Sequence, residues 1–383
     1  MKKDLLLITI SDLFFQVAES SILVFGIIFF YQKFNSIFLA ASPFILLHLF
    51  HAFLLPFFAK FLFKIGFKNS LMIGSLFYIL MALTTYLSSE NLQIEILIIW
   101  ALFYALGNVF HYVPVIYILG SESKHSDRGR VFALRKIIFV IATIVTPILG
   151  GFISEKFGFT GLFAMCIAFY VLTNIPILYL GKIEAAVPKS LSKTLETMRG
   201  KRIFLYKISE VTTGGIKDFW PIFVFITLSG SLSELGVLFA IISFIVVIIT
   251  YFTGKALDSR SRSKLYFSSS IAIFVGWIFR ALSFNYLSIL IADIIFRINA
   301  NFKSQISEVI DYDLMNDHIN EARGSVIVLS EVMTNYLISF VLFVGALLIT
   351  IAGFQTTFII FGLLGFIFAV VMQLFLGYKH KAK

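Results

Sequence analysis

The feature that most constrains this chain is a succession of apolar runs, each close to twenty residues long and parted by short polar breaks. An α-helix needs about 20 apolar residues to cross the hydrocarbon of a bilayer. Twelve runs meet that requirement, at roughly 8–31, 38–59, 69–87, 94–119, 131–153, 160–180, 204–228, 233–253, 265–283, 286–308, 324–350 and 353–377. Lipid offers no water to an open backbone, so each run is expected to be a helix that closes its own hydrogen bonds. The expected class is an all-α membrane protein with twelve transmembrane helices. Composition agrees: 59% of residues are hydrophobic and 14% charged, against about 25% charged in soluble domains.

The first run imitates a signal peptide, with Lys2 and Lys3 ahead of Leu5 to Ile10. It continues to about Tyr31, contains Asp12 and Glu19, and offers no small-x-small cleavage site, so it reads as the first membrane helix. The single cysteine, Cys166, excludes an intrachain disulfide. A net charge of +10 would suggest nucleic acid in a soluble chain. Here the cations collect in alternate breaks. If both termini are cytoplasmic, 26 of the 31 Lys and Arg residues fall on that side, Lys33 and Lys156 fall on the other, and Lys217, Arg280 and Arg297 lie within runs. Positive loops resist translocation, so both termini are expected in the cytoplasm and the plasma (inner) membrane is the expected site. The partners expected are a lipid bilayer and a small-molecule solute, with no nucleic acid.

The chain also resembles itself at an offset of 195 residues. Arg128-Gly129-x-Val131 meets Arg323-Gly324-x-Val326, Gly158-Phe159 with Phe163 meets Gly353-Phe354 with Phe358, and Lys60 meets Lys255. A shared offset at matching places among the runs points to two pseudo-symmetric six-helix bundles. The division expected is 1–181, a cytoplasmic linker 182–203, and 204–383. In the linker, Leu191, Leu195 and Met198 recur at helical spacing, which fits either a surface-lying helix or a solvated connector.

Charges inside a bilayer cost about 2.5–3.5 kcal/mol each on insertion scales, so their placement carries information. The first run holds Asp12 and Glu19, the seventh Lys217 and Asp218, the tenth Asp293 and Arg297, and the eleventh Glu331 with Asn335 one turn on. Glu19, Lys217 and Arg297 lie near the middles of their runs and are expected at one depth. Asn108 and His111 share a face of the fourth run, as do His48 and His51 of the second. Each has a plainer reading. Glu19 could neutralise Lys217 as a structural tie. Asp293 and Arg297, four residues apart, could satisfy each other. Asn108 and His111 could only bridge helices. His48 and His51 have no third metal-ligand partner nearby in sequence, so cavity lining is expected rather than a metal site.

Three local patterns resemble the major facilitator superfamily. Gly254-Lys-Ala-Leu-Asp258-Ser-Arg260-Ser-Arg262 is similar to the family's loop between the second and third helix of a half. The first-half counterpart, from Ala59 through Lys64 and Gly66 to Lys68, keeps the basic residues and has lost the Asp. Pro147-Ile-Leu-Gly150-Gly151, followed by Glu155-Lys-Phe-Gly158, resembles the end of the family's fifth helix, although Ala142 and Thr146 stand where exporters carry further glycines.

The resemblance implies that helices 1, 4, 7 and 10 line a central cavity and that helices 3, 6, 9 and 12 face outward. Arg280 on the ninth run is the exception, and is expected to snorkel to the surface. The resemblance also implies a cytoplasmic gate. In it Asp258, with Arg260, would cap the start of helix 5 beside Arg128 and Arg130.

The function expected is secondary transport of a small organic solute by alternating access, with a proton as coupling ion. Glu19 or Asp293 would carry the proton. Lys217 and Arg297 would meet an anionic group on the solute, with Asn108, His111 and Asp218 completing the binding site. Export of amphipathic drugs or lipids by the same fold is the alternative, and a non-transporting sensor or scaffold is the alternative of another class. No phosphate-binding Gly-rich loop and no catalytic spacing is present, so neither an enzyme nor a cofactor is expected.

Overall fold

A computed structural model describes the backbone at 3–122, 128–181, 207–214, 216–253, 262–316 and 320–380. Side chains at 119–140, 250–265, 305–323 and 372–383 stand outside the description. The expected linker 182–203, Asp258 and Arg260 therefore lie outside the described residues, as do the side chains of Arg128 and Arg130.

Every regular element among the described residues is helical. The first rod, α1, spans 3–34 and contains a π-helical turn at Ile22–Gly26. It is followed by α2 (Ile37–Ile65), α3 (Phe67–Ser88) and α4 (Ile94–Glu122). The run Arg128–Leu178 breaks at Gly158 into α5 (128–157) and α6 (159–178). A seventh rod, α7, covers 207–227 in pieces, and α8 (Leu232–Thr253), α9 (Arg262–Ala281) and α10 (Tyr286–Asn316) follow. The run Asn320–His380 breaks at Gly353 into α11 (320–352) and α12 (354–380). Divided in this way, the described runs form twelve rods. Seven helices among the described residues are long and apolar enough to cross a membrane.

The two breaks are the glycines that the 195-residue offset aligned. Gly158 has φ 67° and Gly353 has φ 81°, backbone that costs a side chain dearly and glycine little. Several rods outrun their apolar runs: α1 starts at Lys3 and α10 ends at Asn316. Hydropathy marks the stretch that lipid covers. A helix goes on into water for as long as its backbone is supported, and at α1 that support includes Asp4 Oδ1 accepting from the Gly181 N–H at 3.0 Å.

In the first half α1 lies along α5 and α6, α3 lies against α4 and α6, and α2 against α4. In the second, α9 packs on α10 and α12, and α8 on α10. The halves meet along α2 with α11 and along α5 with α8. The second seam is unusually close. A Cβ on Gly236 would lie 2.3 Å from the Pro147 carbonyl oxygen, and one on Gly151 would lie 2.6 Å from that of Leu232. Small residues let membrane helices approach backbone to backbone, where dispersion and not hydrophobicity joins them.

Two rods depart from regularity near their polar residues. The π turn of α1 begins three residues after Glu19, and such insertions shift the side-chain phase of the helix beyond them. α7 is helical over 207–214, tightens into a 3₁₀ turn at Lys217–Phe219, and resumes at Trp220 with Pro221 in its first turn. Proline has no N–H to donate, so Pro221 suits the first turn of the resumed helix, where that N–H would have no partner.

Candidate functional site

Glu19 is buried in the first half and 5% exposed. Three phenols converge on its carboxylate. Tyr104 donates to Oε1 at 2.6 Å, Tyr112 to Oε1 at 3.4 Å, and Tyr170 to Oε2 at 3.3 Å. Two come from α4 and one from α6. Asn108, one turn after Tyr104, accepts from Tyr78 at 2.7 Å, and Tyr78 stacks on Tyr170 with ring centroids 5.1 Å apart. His111 stacks on Phe15 at 4.0 Å. Asn108 and His111 thus belong to the shell around Glu19. Among the described residues no Lys or Arg forms an ion pair with Glu19. The alternative that Glu19 neutralises Lys217 is not what the structure shows: Lys217 stands exposed on the α7 turn.

The sequence reading missed the tyrosines. Tyr104 and Tyr112 follow the face already marked by Asn108 and could have been found by that spacing. Tyr170 and Tyr78 come from other helices, and no local pattern announces them.

The second half is built the other way. Asp293 is fully buried and both its oxygens are taken. Arg280 Nη2 holds Oδ1, and Arg297 Nε donates to Oδ2 at 2.8 Å. Asp293 and Arg297 therefore do pair four residues apart on α10, but a second guanidinium joins them. The expectation that Arg280 snorkels to the surface is overturned: it is 2% exposed and points inward. Its guanidinium carbon lies 3.5 Å from the Phe296 ring centre, 4.5 Å from that of Trp220 and 4.8 Å from that of Trp277. A buried carboxylate and three aromatic faces supply there what headgroups supply at a membrane surface.

Lys303 departs from expectation in the same way. Its place among the 26 cations expected on the cytoplasmic side implies exposure, yet it is 4% exposed. Its Nζ donates to Thr213 Oγ1 at 2.6 Å and to the Ser209 carbonyl at 3.2 Å, above the Tyr266 ring.

A polar seam joins the halves between these centres. His48 Nδ1 on α2 and Asn335 Oδ1 on α11 are 2.6 Å apart, and Ser339 Oγ donates to the Ile45 carbonyl at 3.0 Å. Asn335 also donates to the Glu331 carbonyl one turn back. His51, one turn from His48, is 1% exposed, and its ring nitrogens have no hydrogen-bond partner among the described residues. No group of three or more His, Cys, Asp or Glu side chains comes together as a metal set among those residues.

A family model, the Major Facilitator Superfamily, matches residues 9–309. The chain belongs to this superfamily. Solved structures carry the same fold across nearly the whole length. One is a POT family transporter in complex with 5-aminolevulinic acid, with a TM-score of 0.76 at 10% identity over 97% of this chain and 95% of that one. Another is a D-xylose-proton symporter, with a TM-score of 0.74 at 13% identity over 97% of this chain and 96% of that one. At such identities the likeness is one of fold alone. No curated protein matches the sequence. As a member of the superfamily, the chain is a multi-pass membrane transporter of small solutes.

Proposed function

We propose that this superfamily member is a proton-coupled secondary transporter of a small organic solute, with Glu19 as the group that takes up and releases the proton. The two halves, 1–181 and 204–383, rock about the polar seam, with 182–203 as the linker. The protein sits in the plasma membrane with both termini in the cytoplasm. One of the structures with the same fold is named as a D-xylose-proton symporter, and the proton as driving ion is proposed on that likeness together with the setting of Glu19.

The observation that carries this reading is the setting of Glu19: a buried carboxyl, three phenol donors and no counter-cation among the described residues. Its proton occupancy sets the charge at the centre of the first half. The solute would lie along the seam, meeting Lys217 and Asp218 on the α7 turn and Arg297 on α10. Asn108 and His111 hold the shell that orients Glu19. Asp293 serves as counter-ion to its two arginines instead of carrying the coupled proton. On the cytoplasmic face Asp258 and Arg260, with Arg128 and Arg130, form the gate that the family resemblance implies.

The test is solute movement in proteoliposomes driven by an imposed pH gradient, compared with exchange of labelled solute at equal pH. Glu19→Gln is expected to lose gradient-driven accumulation and to keep exchange, because only the proton step is removed. Undiminished accumulation in Glu19→Gln would end the proposed role.

A further inference from the structure

The centre of the second half holds more positive charge than its carboxylate balances. Arg280 and Arg297 share Asp293, which leaves the triad with one net positive charge. The two arginines differ in access. Arg280 is sealed among aromatic rings, whereas the Arg297 side chain is 32% exposed. Arg297 gives its Nε to Asp293 and lies over the Phe239 ring at 4.9 Å. Its two terminal nitrogens have no hydrogen-bond partner among the described residues. Open guanidinium donors are costly against acyl chains, so an exposed arginine edge on a membrane helix calls for a polar surrounding.

Resting on the transporter reading above, we propose that Arg297 anchors an anionic solute, its free N–H edge gripping a carboxylate or phosphate group in two parallel hydrogen bonds. Asp293 orients the guanidinium, Arg280 supplies the excess charge, and the buried Phe239 ring backs the guanidinium plane. The arrangement also gives coupling a physical basis. A bound anion cancels the net charge of the triad, and a proton cancels that of Glu19. The loaded carrier then passes through its midpoint with both centres neutral.

The experiment is thermal unfolding of the full chain in detergent micelles at constant ionic strength, with benzoate, inorganic phosphate and the neutral analogue benzamide as probes. A ligand of the folded state raises the unfolding temperature. At least one anion is expected to raise it by several degrees while benzamide does not. Arg297→Gln is expected to abolish the shift. Arg297→Lys, which keeps the charge and loses the planar fork, is expected to retain a smaller one. The shift is read without any pH gradient or solute movement, so failure of the anion site and failure of proton coupling are read separately. A wild-type chain unmoved by both anions, or an equal shift in Arg297→Gln, overturns the proposal.

An independent observation at the face away from the termini supports a second inference. Glu155 Oε2, at the end of α5, accepts from the Leu232 N–H at 2.9 Å and the Ser233 N–H at 3.0 Å. These are the first N–H groups of α8, in the opposite half, and the next, that of Glu234, is capped by Ser231 Oγ. A carboxylate at a helix N-terminus satisfies donors that the helix cannot, and meets the positive end of its dipole.

We infer that Glu155 is a latch that holds this face closed. Separation of the two halves here exchanges these bonds for bonds to water, since Glu155 is exposed, and gives up the contact between the carboxylate and the positive end of the α8 dipole. The test is the distance between spin labels at Asn91→Cys and Phe284→Cys, in a Cys166→Ser background. Glu155→Leu, which removes the acceptor, is expected to add a population of longer distances. Glu155→Gln, which keeps an acceptor without the charge, is expected to fall between Glu155→Leu and the parent. Distributions identical to the parent in both variants overturn the latch. This readout does not depend on transport.

Discussion

The two halves share a fold and hold charge at their centres by opposite means. In the first, an acid sits among neutral phenols: Glu19 with Tyr104, Tyr112 and Tyr170. In the second, an acid is clamped between two guanidiniums, and a buried lysine rests on a hydroxyl and a carbonyl. The first arrangement leaves a charge that a single proton removes. The second leaves a positive excess that a proton does not relieve and an anion does. Pseudo-symmetry of the backbone has therefore been put to asymmetric use, with one centre suited to a proton and the other to the proposed solute.

The sharpest way to break this contrast is Arg280→Leu. Removing one partner from a buried ion pair leaves the other charge uncompensated, at a cost of about 3–5 kcal/mol. Arg297 still holds Asp293, so the lower end of that range is expected, measured as a drop in unfolding temperature and in yield of folded protein. A loss under 1 kcal/mol would show that Arg280 is not the structural clamp described.

A smaller effect is expected for Tyr104→Phe, which deletes the shortest of the three phenol bonds to Glu19. A hydrogen bond to a charged group contributes about 1.5–3 kcal/mol and one to a neutral group about 0.5–1.5 kcal/mol. Stability of Tyr104→Phe measured on both sides of the Glu19 titration would tell the two apart. The larger loss is expected where Glu19 is ionised.

Lys303→Met sharpens the comparison from the other side. The substitution removes a desolvated ammonium, and without it the Thr213 hydroxyl still donates to the Ser209 carbonyl, so a change within about 1 kcal/mol is expected in thermal unfolding. A much larger loss would make Lys303 a structural pillar equal to Arg280.

The smallest stability effect is expected for Glu19→Gln. The side-chain amide keeps an oxygen to accept from Tyr104 and carries no charge to bury, so unfolding should shift by about 0.5 kcal/mol or less. Set beside the loss of proton-driven accumulation predicted for the same variant, this would mark Glu19 as functional and Arg280 as structural.

The spans, the repeat and the special glycines were legible because each depends on local chain properties. An apolar run of the right length has to be helical in lipid, whatever surrounds it. Gly158 and Gly353 announced themselves by recurring at one offset, and both proved to be the points where a long helical run breaks. The buried acid Glu19 was legible as well, because a carboxylate in an apolar run needs a reason. Its partners were not. Tyr170 and Tyr78 read as ordinary membrane aromatics until α6 and α3 are placed beside α4. Arg280 and Lys303 lie near the ends of their runs, where a cation ordinarily turns to the headgroups. Only the positions of Asp293 and Thr213 on neighbouring helices turn them inward.

Read alone, then, the residues of this chain determined that it crosses a membrane many times, that its halves repeat, and that a few polar groups fall within its apolar runs. Those follow from the free energy of moving apolar and charged groups between water and lipid, which each segment pays separately. The tertiary structure decided which polar groups meet. It clamped Asp293, left Glu19 to its phenols, opened Arg297 on one side and set Glu155 on the first turn of α8. Such pairings depend on which helix faces lie within 3 Å of one another, and that distance is set by how all the helices pack together.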